Sequence, residues 1–168
     1  EYNFSDKISS LKPSAIREIL KATSLPGMIP FAAGNPAPDA FPHEAVAEIS
    51  AKLLNENPTL ALQYGLTEGY LPLRETLKKY MTESYGVNME GNDLIITSGA
   101  QQVMDLVTKS LVNEGDVVIT EAPSFIGSLN TFRSYNAKLV GVKMDDDGMN
   151  MEELEKALSE NKNVRFIY

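Results

Sequence analysis

Between a short apolar run, Leu94-Ile95-Ile96-Thr97, and an amphipathic stretch, Gln101 to Leu111, lies the small-residue link Ser98-Gly99-Ala100. A strand that feeds at once into a helix through such a link can bind an anion. Gly99 permits a tight turn and a close backbone approach. The unpaired N–H groups of Ala100 and Gln101 would face the space beyond the strand, where the helix dipole favours negative charge. The hydroxyls of Thr97 and Ser98 and the Gln101 amide add donors. This is the chemistry of a phosphate cradle. The competing reading is an ordinary helix start capped by Ser98. Neither G-x-G-x-x-G after a strand nor G-x-x-x-x-G-K-[ST] occurs, so the common dinucleotide and P-loop sites lose their support.

A second segment, Glu121-Ala122-Pro123-Ser124-Phe125-Ile126-Gly127, follows another apolar run. Pro123 forces a turn there, and Phe125 falls where the next helix begins. An aromatic ring at that level could stack on a flat heterocycle held by its phosphate at the first turn. It could equally plug its own helix against the core. Asp145-Asp146-Asp147-Gly148 invites a calcium reading, but aligning Gly148 as the loop glycine puts Lys143 at the first ligand position and Leu154 at the twelfth. An acidic turn ahead of a helix N-terminus accounts for it better. His43 follows Pro42 in a polar loop and reads as a surface residue. Arg17 could hold a carboxylate or simply be solvated.

Composition removes other chemistries. With no cysteine, disulfides, thiolate metal sites and a cysteine nucleophile are excluded, and a single histidine leaves no His-rich metal cluster. Lys plus Arg total 15 against 23 Asp plus Glu, a net charge of -8, which argues against nucleic acid as a partner. No apolar run approaches the roughly 20 residues that cross a bilayer, and the first residues lack a signal-peptide pattern. The expectation is a cytoplasmic protein without a membrane partner.

The elements that must position these residues follow from periodicity. After a short helix beginning at Pro13, the stretch Leu25 to Pro38 holds four prolines and two glycines, and reads as an extended arm. Helices are predicted over 42–55 and 70–85, the second stopping at Gly86, with a loop over 63–69. From Asp93 onward strands and helices alternate: strands at 94–97, 116–120, 138–142 and 164–168, helices at 101–111, 125–134 and 151–159. Short strands apolar on both faces, alternating with helices, imply an α/β fold in which a parallel sheet is covered on both sides. The last five residues form a buried-type strand with nothing after it, so the chain is expected to be the front portion of a longer protein.

Six segments in order resemble the pyridoxal-phosphate-dependent aminotransferases of fold type I, class I/II, nearest the 2-aminoadipate/kynurenine subgroup. They are Ser14-Ala15-Ile16-Arg17, Phe31-Ala32-Ala33-Gly34-Asn35-Pro36 through Phe41-Pro42, and Leu62-Gln63-Tyr64 with Gly69-Tyr70-Leu71-Pro72-Leu73-Arg74. The others are Ile96 to Gln102, Gly115-Asp116-Val117-Val118 and Glu121 to Phe125. The resemblance implies the first part of a three-layer large domain over 44–168, with residues 1–43 as an N-terminal arm and substrate-pocket segment. It implies that Gly99, Ala100 and Gln101 bind the phosphate of pyridoxal 5′-phosphate and that Phe125 stacks on its ring. Many family members have tyrosine at that position. Tyr64 would reach the phosphate of the neighbouring subunit in a homodimer, and Arg17 and Gly34 would line the pocket for amino-acid and 2-oxo-acid substrates. The family's cofactor-bearing lysine lies in a segment that none of the 11 lysines here matches, so no catalytic residue is assigned. In the family the strand at 94–97 pairs with one contributed much later in the chain, so it is not expected to pair with the other three. The alternative is the aminotransferase-like, ligand-sensing domain of a transcription regulator.

Overall fold

The computed structural model describes residues 2–9, 27–29 and 36–168. Arg17, Gly34 and the helix expected after Pro13 lie outside the described residues. The helices are α1 (Asp6–Ser9), α2 (His43–Glu56), α3 (Pro58–Leu62), α4 (Leu71–Tyr85), α5 (Ala100–Leu111), α6 (Ile126–Ser134) and α7 (Met151–Glu160). The strands are β1 (Val117–Ala122), β2 (Lys138–Asp145), β3 (Gly148–Met149) and β4 (Val164–Ile167). They form two compact units, one of Thr23–Thr97 and one of Glu1–Ala22 with Ser98–Tyr168.

In the first unit α2 and α4 fall where helical spacing places them. Between them the 63–69 loop stands as expected, and ahead of it the unassigned stretch holds α3, which Asn57 and Pro58 start: the Asn57 side chain accepts the Leu60 N–H, and proline suits a first helical turn. Gly86 ends α4 in the left-handed conformation (φ 66°), which costs glycine little. Arg74 on α4 is buried; its Nε donates to Leu94 O (2.6 Å) and its Nη2 to Asp93 Oδ2 (2.7 Å). Lys78, the Leu94 N–H and Arg74 together hold the Asp93 carboxyl well below the usual carboxylate range.

The run Leu94–Thr97 is not a strand, which corrects the element assignment and agrees with the expectation that it pairs with none of the other three. Its main chain is engaged elsewhere. Arg74 takes the Leu94 carbonyl, and the Ile96 N–H donates to Glu68 O at 2.9 Å. Apolar, β-branched residues supply strand propensity, but a strand exists only where a ladder partner lies alongside.

The second unit holds the sheet, ordered β3-β2-β1-β4. β1 is parallel to both β2 and β4, as strand–helix alternation requires, while two-residue β3 turns back antiparallel on β2. The sheet is therefore mixed at one edge. Alternation along β1 divides the core. Val117 and Ile119 pack with Val140, Val142, Leu154 and Ala157 on the α7 side. Val118 packs with Met104, Leu129 and Phe132 on the α5 and α6 side. Three layers result. Val118 and Ile119 are wholly buried, each burial contributing about 1.5–3 kcal/mol. The register on β4 slips by one residue at Val117/Val118, so Val118 faces Phe166 and Arg165 is the extra residue.

Candidate functional site

β1 and α5 aim two chemical features toward the sheet's carboxyl end, the side on which α/β proteins place ligands. The first is the start of α5. Gly99 is the residue before the helix, at φ 76° and ψ 170°, a region that essentially only glycine occupies. No side chain caps this helix. Ser98 in particular is not the cap: its own N–H donates to Gln102 Oε1 at 2.5 Å. A Cβ placed on Gly99 would meet nothing within 4 Å, so the turn opens onto free space. At a first turn without a side-chain cap the helix dipole favours an anion.

Gln101 divides its roles. Its side-chain Nε2 donates to Thr131 Oγ1 on α6, and that hydroxyl donates in turn to Gly127 O at 3.1 Å. The amide is thus spent on tying α5 to α6 rather than added to the cradle, contrary to the sequence expectation. What Gln101 offers an anion is its backbone N–H.

The second feature is Phe125, at the cap position of α6. Its ring is 63% exposed, so it does not plug the core. With Glu121, Pro123, Ser124 and Tyr168 it lines an open cleft of about 480 Å³. Tyr168 closes the inner side: its hydroxyl accepts from buried Ser128 Oγ at 2.9 Å, and its ring meets Phe132 edge-on, centroids 5.4 Å apart. Sequence reading found Phe125 but missed Thr131, Ser128 and Tyr168, whose partners stand 30 to 40 residues away and leave no local signal.

Gly99, Ala100, Gln101 and Phe125 belong to one compact unit. Tyr64 belongs to the other, where it is 99% exposed on the loop after α3. There it lines an apolar cleft of about 820 Å³ with Leu53, Leu60, Leu66, Tyr70 and Leu71. The acidic run is the turn of the β2–β3 hairpin, not a turn leading straight into a helix as the sequence suggests, because β3 intervenes: Asp145 ends β2, Gly148 starts β3, and Asp145 accepts from the Asp147 N–H and from Asn150 Nδ2. Among the described residues no group of three His, Cys, Asp or Glu side chains could hold a metal ion, and no helix is long and apolar enough to cross a membrane. An open helix start beside an exposed aromatic ring fits a molecule that joins a phosphate to a flat ring.

A family model described as aminotransferase class I and II matches residues 26–168. The aromatic-amino-acid aminotransferase 1 of Thermococcus litoralis is 39% identical over 172 residues, covering 100% of this chain and 41% of that protein. The 2-aminoadipate transaminase of Thermus thermophilus is 41% identical, covering 94% of this chain and 38% of its own length. The crystal structure of Pyrococcus horikoshii kynurenine aminotransferase, in complex with PMP, superposes with a TM-score of 0.89 at 38% identity, over 98% of this chain and 42% of that one. An uncharacterized HTH-type transcriptional regulator of Bacillus subtilis is also similar, 32% identical over 80% of this chain and 27% of its own length. The chain spans about two fifths of the length of the aminotransferases it matches.

Proposed function

We propose, for a chain that belongs to the class I and II aminotransferase family, that it forms the cofactor-facing part of a pyridoxal 5′-phosphate-dependent aminotransferase. The reaction is transfer of an amino group between an α-amino acid and a 2-oxo acid. The observation that carries this reading is the uncapped start of α5 in the same unit as an exposed Phe125 ring. Pyridoxal phosphate, when bound, supplies the electron sink through which the amino group changes carbon skeleton.

The chain's own residues bind and orient. Gly99 turns the backbone so that the N–H groups of Ala100 and Gln101 receive the phosphate dianion with no competing side chain. Phe125 holds the ring plane by stacking and, lacking a hydroxyl, makes no hydrogen bond to it. The Gln101–Thr131 bond keeps the first turn of α5 fixed against α6. Tyr64 reaches the phosphate of a neighbouring subunit, which makes the working form a homodimer, and Arg17 and Gly34 line the substrate pocket from the arm over 1–43. Residues 44–168 belong to the large domain. The lysine that moves the proton is none of those in this chain, and the protein works in the cytoplasm. The similarity to transcription regulators favours one alternative, a domain that binds the same cofactor and answers by changing conformation.

The test is to titrate the purified protein with pyridoxal phosphate, following visible absorbance, and then to assay a panel of α-amino acids against 2-oxoglutarate. This chain alone, which lacks that lysine, should bind without turnover, and the full-length protein should bind and turn over. Binding without turnover by the full-length protein transfers the argument to the regulator, and absence of binding removes both readings.

A further inference from the structure

Gly127, the second residue of α6, has an ordinary negative φ, so its backbone does not require glycine. Its surroundings do. A Cβ there would lie 2.5 Å from Phe125 Cε1 and 2.8 Å from Phe125 Cζ, and 3.2 Å from Gln101 Oε1. Separations under 3.0 Å are not tolerated by close-packed carbon, so with any side chain at this position something must move. What moves is the ring, because it is the far end of an exposed side chain while Gly127 sits in a helix fixed by Thr131. The missing side chain therefore lets the Phe125 ring lie against the first turn of α6. It also lets the Gln101 amide come up beside the same point, on the helix whose N-terminus offers the phosphate site.

We infer that Gly127 is a positioning residue, which sets the plane of Phe125 and so determines how tightly the site takes a phosphorylated aromatic ring. The inference rests on the cofactor reading above and deepens it. Gly127 touches neither phosphate nor ring. It acts through Phe125; the Gln101 amide oxygen, 3.2 Å from the added carbon, need give only a few tenths of an ångström, which leaves the Gln101–Thr131 bond and the N–H groups of Ala100 and Gln101 in place.

The consequences of Gly127→Ala have opposite signs. Alanine is the better helix residue, so the protein is not destabilised. The displaced ring no longer stacks, so affinity falls. The probes are pyridoxamine 5′-phosphate, which has no aldehyde to react with lysine, and inorganic phosphate, both titrated calorimetrically into the full chain. The expected result for Gly127→Ala is a loss of roughly three- to tenfold for pyridoxamine phosphate, the usual worth of one aromatic contact. Inorganic phosphate should be unchanged and the melting temperature no lower than wild type. In a Phe125→Ala background, adding Gly127→Ala should change nothing further. Unaltered pyridoxamine phosphate affinity in Gly127→Ala overturns the inference. So does an equal loss in the Phe125→Ala background, because Gly127 would then act on its own. If wild type takes up neither probe, the cofactor site itself is refuted, and the inference falls with it.

Discussion

Gln101 on α5 and Thr131 on α6, 30 residues apart, are joined side chain to side chain, with the Gln101 amide donating to a threonine hydroxyl that donates onward to Gly127 O. Thr131 is buried, so its hydroxyl has no water to replace a lost partner. Thr131→Val keeps the shape and deletes both bonds. We expect it to lower stability by about 1–2 kcal/mol in urea denaturation, and to weaken inorganic phosphate binding by loosening the first turn of α5. Thr131→Ser, which keeps the oxygen, should recover most of both. Phosphate affinity unchanged in the valine variant would detach this bond from the anion site.

Asp116, just before β1, is buried and accepts from Arg165 Nε at 2.6 Å and from the Asn113 N–H at 2.8 Å. The guanidinium first, then the backbone donor, hold its carboxyl below the ordinary value near 3.9. A carboxyl whose pKa is depressed by folding contributes stability that is complete above its unfolded pKa and is lost as pH falls through the folded one. The protein should therefore weaken from about pH 4 downward. Asp116→Asn should be less stable at pH 7 and flatter below pH 4. Thermal melts of both proteins between pH 7 and pH 2.5 measure this, and parallel curves would remove Asp116 from the acid response.

Much of this was legible in the sequence, for identifiable reasons. Strands β1, β2 and β4 are apolar on both faces, and their helices carry apolar residues at helical spacing, so element type and order followed from local pattern. Gly99 and Phe125 stand at strand–helix junctions, which local sequence also marks. The 94–97 run failed as a strand because pairing is a property of two segments, and here Arg74 and Glu68 take its backbone groups. The role of Gln101 was misjudged for the same kind of reason. Its amide is a free donor until α6 brings Thr131 beside it, and no spacing rule announces that meeting. Ser98 read as a cap by residue type, yet Gly99 holds the cap position.

Phe132 tests the sheet's α5 and α6 face. It is 1% exposed and meets Phe166 and Tyr168 edge-on, both at 5.4 Å between centroids. Phe132→Ala removes a filled volume from the layer it shares with Val118, Met104, Leu129, Phe166 and Tyr168. The expected cost is about 3–5 kcal/mol, read as a large drop in melting temperature. Phe132→Leu should lose roughly half as much. A small effect of the alanine variant would mean that this face is not packed as described.

The assignment of the cap to Gly99 separates two substitutions that sequence alone would rank the other way. Ser98→Ala removes a hydroxyl that caps nothing, so its cost should stay well under the about 1 kcal/mol typical of a lost N-cap. Gly99→Ala meets no steric neighbour, and its whole penalty is conformational. At φ 76° and ψ 170° that penalty is of order 1–3 kcal/mol. The backbone can relieve it only by rotating the peptide that presents the Ala100 N–H, so phosphate affinity should fall together with stability. Paired denaturation and phosphate titrations of the two variants decide the matter. If Ser98→Ala carried the larger loss, the first turn of α5 would be serine-capped, and its N–H groups would not be free for a dianion.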